Sequence, residues 1–138
     1  MAFQIRKVKY CYLLVPSRSG QAVKILGELK KSGINLLAFS GFPSRAGKSQ
    51  IDLISNDMAP ILRLARKNGW RPSKVKRAFL VQGTDEAGAV AKVLSRLSEK
   101  NINVTATDAV AAGKGRYGMI LWVKPARYAA AARALNAK

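Results

Sequence analysis

The sequence predicts an α+β fold in which one small unit is built twice, and three observations predict it. Displacing the chain by 68 residues aligns ten identities over the 62 pairs from residue 9 to residue 70, with no gap. Ordinary composition would give roughly three or four. The identities also fall where backbone geometry is most demanding. Gly20 lies on Gly88 and Gly47 on Gly115, at turns; Lys24 lies on Lys92, Leu26 on Leu94 and Leu29 on Leu97, at helical spacing. Ile34-Asn35 lies on Ile102-Asn103, Ala38 on Ala106, Leu53 on Leu121 and Asn68 on Asn136. Finally, both halves show the same succession of strand, helix, strand, strand and helix.

In the first copy, Tyr10 to Val15 is an apolar, β-favouring run broken at Pro16-Ser17-Arg18-Ser19-Gly20. From Gln21 to Ser32, Ala22, Ile25, Leu26 and Leu29 form the stripe of an amphipathic helix, and Gly33 ends it. Leu36 to Phe42 is the second strand, Pro43 to Gly47 a turn, and Gln50 to Ser55 the third strand. Pro60 sits at a first-turn position and opens a helix that runs to about Asn68. The second copy has a strand over Lys76–Gly83, a break at Asp85–Gly88 and a helix over Ala89–Lys100. A strand over Val104–Ala112, a tight turn at Gly113-Lys114-Gly115 and a strand over Arg116–Val123 follow, with an Ala-rich helix after Pro125. A last strand for the first copy is expected within Val75–Val81, either doubling as the first strand of the second copy or followed by it. This order describes two ferredoxin-like βαββαβ sandwiches in tandem, antiparallel sheets with helices on one face. The expected domains are residues 1–72 and 73–138.

Units of about 65 residues sit near the lower limit of independent stability, so the halves are expected to pack together. No apolar run reaches the 18 or so residues of a membrane helix. Met1 to Tyr10 carries three basic residues without an apolar core or cleavage site, so it does not read as a secretory signal. A single cysteine, Cys11, fits a reducing compartment, and the expected location is cytoplasmic. The chain has no histidine, which removes the commonest general base and metal ligand together. The net charge of +18 is divided evenly between the halves and implies a general, non-specific attraction to polyanions.

The loops ahead of the first helix of each copy are the places where chemistry can sit. A strand end facing a helix N-terminus offers free backbone N–H groups and a dipole that favours a carboxylate. Asp85 beside such an end can accept hydrogen bonds from an ammonium group. Together these suit an α-amino acid. The same residues also have plain structural readings, Asp85 as a helix cap and the glycine as a close-packing point.

Two βαββα units, each with a loop closing on Gly before the first helix and an Ile-Asn leading into the second strand, resemble tandem ACT domains over residues 9 to about 136. These are small regulatory modules, many of which bind amino acids between paired copies. The family loop is Asp or Asn, any residue, Pro, Gly. Asp85-Glu86-Ala87-Gly88 keeps its ends and has Ala87 for Pro, and Ser17-Arg18-Ser19-Gly20 keeps the Gly. The resemblance implies a ligand held by the loop of one unit and by the second-strand Asn, Asn35 or Asn103, of a facing unit. It implies a homodimer, an amino acid or similar small ligand, and a regulated partner protein that the sequence does not identify.

Enzyme readings fail on content: there is no histidine, no cysteine pair and no nucleophile elbow. Catalytic, metal and cofactor sites are therefore not expected. Gly41 to Ser49 echoes a phosphate loop but lies between two strands, whereas that loop must lead into a helix. Asp52 and Asp57 are expected at surface or strand-end positions, and Cys11 as a buried, inert thiol. The rival function is RNA binding through a basic ferredoxin-like surface, with Phe79 and the Lys114–Met119 strand supplying stacking aromatics.

Overall fold

The computed structural model describes residues 3–138; Met1 and Ala2, part of the leading segment read above, lie outside the described residues. Among the described residues six strands and four α-helices give an α+β fold, and β1–β3, β2–β3, β4–β6 and β5–β6 pair antiparallel. The elements run β1 (Phe3–Pro16), α1 (Gln21–Lys31), β2 (Ala38–Pro43), β3 (Lys48–Ser55) and α2 (Ala59–Asn68). They continue as β4 (Lys76–Thr84), α3 (Ala89–Ser98), β5 (Ala106–Gly113), β6 (Arg116–Trp122), a 3-10 turn at Pro125–Arg127 and α4 (Tyr128–Leu135).

Two units emerge, and one is nested in the sequence of the other. The inner unit is Lys9–Lys76; the flanking unit joins the chain up to Val8 to Arg77–Lys138. The fourteen-residue β1 therefore serves both, its first residues in the flanking unit and the rest in the inner one.

In the inner unit the strand order is β2-β3-β1. Leu13 lies opposite Ile51 and Cys11 opposite Leu53, which places one apolar set against the helices. Ile25 and Leu29 of α1 and Ile61 and Leu64 of α2 complete that core. The segment expected to supply its fourth strand, Val75–Val81, forms β4 from Lys76 on, and Arg77 onward belongs to the flanking unit; in the inner unit Ser73 N–H donates to Tyr12 C=O (2.9 Å), and Tyr12 N–H donates to Ser73 Oγ (3.0 Å).

The flanking unit has the order β1-β4-β6-β5, with Phe79, Val81, Met119 and Leu121 against Val93, Leu97, Ala131 and Leu135. Its fourth strand comes from the start of the chain. Ile5 sits in this core, and Lys138 N–H donates to Ile5 C=O at 2.9 Å.

Several backbone hydrogen bonds recur between the copies through the first helix. Ser17 N–H to Gly47 C=O recurs as Asp85 to Gly115, Lys24 to Gly20 as Lys92 to Gly88, and Ile34 to Leu29 as Ile102 to Leu97. Gly20 and Gly88 both take left-handed backbone (φ 89° and 82°). Nothing lies within 4 Å of a Cβ built on either, so it is backbone conformation and not close packing that requires glycine there.

The gapless register expected from sequence does not hold to the end. In the last helix of each unit, equivalence moves to an offset of 67. Trp70 N–H to Ala65 C=O recurs as Ala137 to Ala132, and the left-handed C-cap Gly69 (φ 71°) recurs as Asn136 (φ 54°). Buried Ile61 and Leu64 correspond to Tyr128 and Ala131. One residue is thus missing before α4, and the Asn68/Asn136 identity does not join equivalent positions.

Candidate ligand cleft

The Asp85–Gly88 break turns the end of β4 into α3, and a cleft of about 260 Å³ opens there. Asp85, Glu86, Gly88 and the first turn of α3 form one wall, Ala109–Ala111 of β5 another, and Tyr117 of β6 also lines it. Strand pairing sets this arrangement, since Ala111 is opposite Tyr117 and Thr84 opposite Arg116.

Helix α3 presents an uncapped N-terminus to the cleft. Gly88 is its N-cap, no side chain caps it, and its first turn has no acidic residue. Ala89 N–H reaches Glu86 C=O (3.1 Å) and Lys92 N–H reaches Gly88 C=O (3.0 Å), which leaves the N–H groups of Val90 and Ala91 without an acceptor. Both residues line the cleft. The capping role open to Asp85 is not the one observed: its backbone N–H is bound to Gly115 C=O at 2.9 Å, and its exposed carboxylate makes no hydrogen bond or ion pair among the described residues. Glu86 is held by Lys92 at 3.4 Å.

Tyr117 is 5 % exposed, and its hydroxyl is buried without a hydrogen-bond partner. Burial pushes this phenol up, and the nearby Glu86 charge adds to the effect. A buried hydroxyl without a partner costs stability. Sequence reasoning did not place Tyr117 at this cleft, having considered its strand only as an RNA platform.

The first-copy loop is arranged differently. Ser17 Oγ and Ser49 Oγ share one hydrogen bond at 2.8 Å. Arg18 N–H returns to Pro16 C=O (2.8 Å), and Arg18, Ser19 and Gly20 are exposed. Asn35 Oδ1 accepts from the N–H of Leu36 at 3.1 Å, and Asn35 lines a separate cleft with Leu26, Lys30 and Gly33. Asn103 is exposed ahead of β5, and neither it nor Ala87 lines the Asp85 cleft.

Other candidates fall into place. Asp52, expected near the surface, is 3 % exposed in the middle of β3. Burial raises its carboxyl above the ordinary range, partly opposed by a hydrogen bond from Gln50 (3.0 Å) and by the charge of Lys76. Asp57 accepts from Ala59 N–H at the head of α2 (3.1 Å). Cys11 is fully buried and its thiol is pushed up to about 11, chiefly by burial, which makes a thiolate scarce at neutral pH. Gly41 to Ser49 spans a β2–β3 turn, with no helix following it. The RNA reading loses its aromatics: Phe79 is fully buried, stacked on Tyr128 at 4.4 Å, and Tyr117 belongs to the same core. No group of three or more His, Cys, Asp or Glu among the described residues is placed to hold a metal. No helix among them is long and apolar enough to cross a membrane.

The order of strands and helices is that of an ACT-like α+β fold. No protein-family model and no curated protein matches the sequence. Solved structures do match it in fold. One is a protein from Bacteroides thetaiotaomicron (TM-score 0.76, 18 % identity, 97 % of this chain and 88 % of that one). Two are regulatory subunits of aspartate kinase. That of Thermus thermophilus, in its ligand-free form, has a TM-score of 0.67 at 17 % identity, and that of Thermus flavus 0.63 at 18 %. Each covers 99 % of this chain and 95 % of the other.

Proposed function

We propose that this chain is a small-molecule-binding regulatory protein and not an enzyme, and that its ligand is an amino acid. The observation that carries this reading is the uncapped N-terminus of α3 facing a cleft beside the unpaired carboxylate of Asp85. The free N–H groups of Val90 and Ala91 suit a carboxylate, and Asp85 suits an ammonium group. Each unit is taken as one ACT-like sandwich, with the fourth strand of the flanking unit drawn from the chain's start. The likeness to regulatory subunits supports a regulatory role on grounds of fold alone.

In this reading the chain is a cytoplasmic homodimer, and Asn103 reaches the ligand from the facing copy. The exposed edge strand β2 supports self-association. Ser32 to Ser44 is the longest uncharged stretch in a chain of net charge +18, and it presents Phe39 and Phe42 to solvent. Bound amino acid then favours one arrangement of the protein over another and alters contact with a regulated partner.

The test is a thermal-shift screen of the twenty amino acids, with a short structured RNA alongside, at two salt concentrations. One amino acid, or a chemically related few, raises the melting temperature independently of salt. Silence of all twenty refutes the reading. Stabilisation by RNA that survives high salt, with the amino acids silent, transfers the assignment to RNA binding; stabilisation that vanishes is charge attraction only.

A further inference from the structure

The sheet of the inner unit ends on one side at β1, and the last residues of that edge are bare. Backbone groups of an antiparallel strand face its two neighbours alternately. Tyr12 exchanges both of its groups with Ser73, so Leu14 turns its N–H and C=O the same way, off β3. Pairing that continued from Ser73 would bring Arg71 opposite Leu14, but Trp70 to Val75 forms no strand. Trp70 N–H is tied instead to Ala65 C=O at the end of α2 (2.9 Å), which holds the segment back. The N–H and C=O of Leu14 have no partner among the described residues.

The repeat shows what can fill this place. At the offset of 68, Leu14 corresponds to Gln82 of β4. Beside Gln82 runs the start of the chain, with Arg6 Nη2 donating to Gln82 Oε1 at 3.4 Å. Where the flanking unit has this added strand, the inner unit has a cleft of about 520 Å³. Leu14 (38 % exposed), Ile25 and half-buried Trp70 make it apolar, and among the described residues that line it Arg71 alone is charged.

We propose that this edge of β1 captures an extended, acidic segment of another protein, which adds as the missing fourth strand of the inner unit. Its backbone pairs with Leu14, an apolar side chain enters the cleft beside Trp70, and its carboxylates meet Arg71 and Lys74, both exposed. Charge selects this occupant. Lys9–Lys76 carries thirteen Lys and Arg against three acids, one of them the buried Asp52. A second copy would bring like charge to the edge, and an acidic strand brings the opposite. The site lies in a different unit from the Asp85 cleft and does not depend on the amino-acid reading.

The probe is a short fluorescent peptide of alternating valine and glutamate, titrated into the full chain by anisotropy. A peptide of the same composition, with its valines and glutamates in two blocks, reports charge attraction alone. The alternating peptide binds about tenfold tighter than the block peptide, the worth of a few paired backbone groups. By NMR-detected amide exchange, Leu14 N–H is open in the free protein and slows about tenfold or more when the alternating peptide is bound. Arg71→Glu weakens binding several-fold at low salt without lowering the melting temperature. Equal binding of the two peptides, or a Leu14 amide that the peptide leaves unprotected, overturns the proposal. Protection of Leu14 without peptide that grows with protein concentration assigns the edge to a second copy and overturns it too.

Discussion

Replacing Tyr128 by Phe removes a single oxygen from the core of the flanking unit, and its effect changes sign with pH. Tyr128 is 2 % exposed; its ring stacks on Phe79 at 4.4 Å between centroids, with the Arg77 guanidinium 4.2 Å from the ring centre. Its hydroxyl donates to Ala78 C=O at 2.9 Å. Phe keeps the stack and the cation–π contact and strands the carbonyl, a loss of about 1–2 kcal/mol at neutral pH. For a chain of this size that is a drop of roughly 3–8 °C in melting temperature. Burial, opposed by Arg77, pushes this phenol from 10.0 to about 12. Unfolded Tyr128 therefore ionises while the folded residue still holds its proton. The unfolded state then binds fewer protons, so wild-type stability falls as pH climbs from the unfolded to the folded pKa. The loss is about 1.4 kcal/mol one unit above the unfolded value and approaches about 2.7 kcal/mol beyond the folded one. The Phe variant is spared it. Denaturant unfolding of both proteins from neutral to strongly alkaline pH should show wild type ahead at neutrality, near parity at about pH 11 and the variant ahead at about pH 12. Tyr10 and Cys11, also raised by burial, titrate equally in both proteins and cancel. A gap that stays constant across this range refutes the placement of the hydroxyl.

Asp52→Asn keeps an oxygen for Gln50 and removes a buried charge. Because burial raises the folded pKa of Asp52, its ionised form costs stability above that pKa and nothing below the unfolded value. Urea unfolding should find the variant more stable at neutral pH, with the difference fading as pH falls toward about 4; a difference independent of pH would be the contrary result. On the β2 edge, Phe42→Lys places a charge on a side chain that is 43 % exposed. Sedimentation should show the dimer dissociating while the melting temperature of the monomer holds, and a wild type that sediments as a monomer counts against self-association through this edge.

What could be read from the sequence follows from which interactions are local. Helical stripes and glycine turns announce themselves within a few residues, and α1, α2 and α3 begin at or within one residue of where their periodicity places them. The first half of β1 was hidden because Arg6-Lys7 interrupts its apolar pattern. Buried Ile5 and Val8 fall on opposite phases, so no strict alternation marks the strand. Its role as fourth strand of the other unit is written nowhere near residues 3–8, since the partner strand begins at Lys76. Asp52 shared a polar phase with Gln50, yet both faces of β3 are buried from Ile51 to Ser55, a fact of tertiary packing. The cleft was half legible for the same reason. Asp85 and Gly88 stand together in one loop and signal a helix N-terminus, so they could be named. Tyr117 lies some thirty residues away on β6, and a hydroxyl without a partner becomes visible only once every neighbour is known. Ser17 and Ser49 are separated likewise, and the hydrogen bond between them is visible only in the folded chain. Sequence repetition therefore marks where a loop belongs in the fold, and the side-chain contacts made there are decided by residues far apart along the chain.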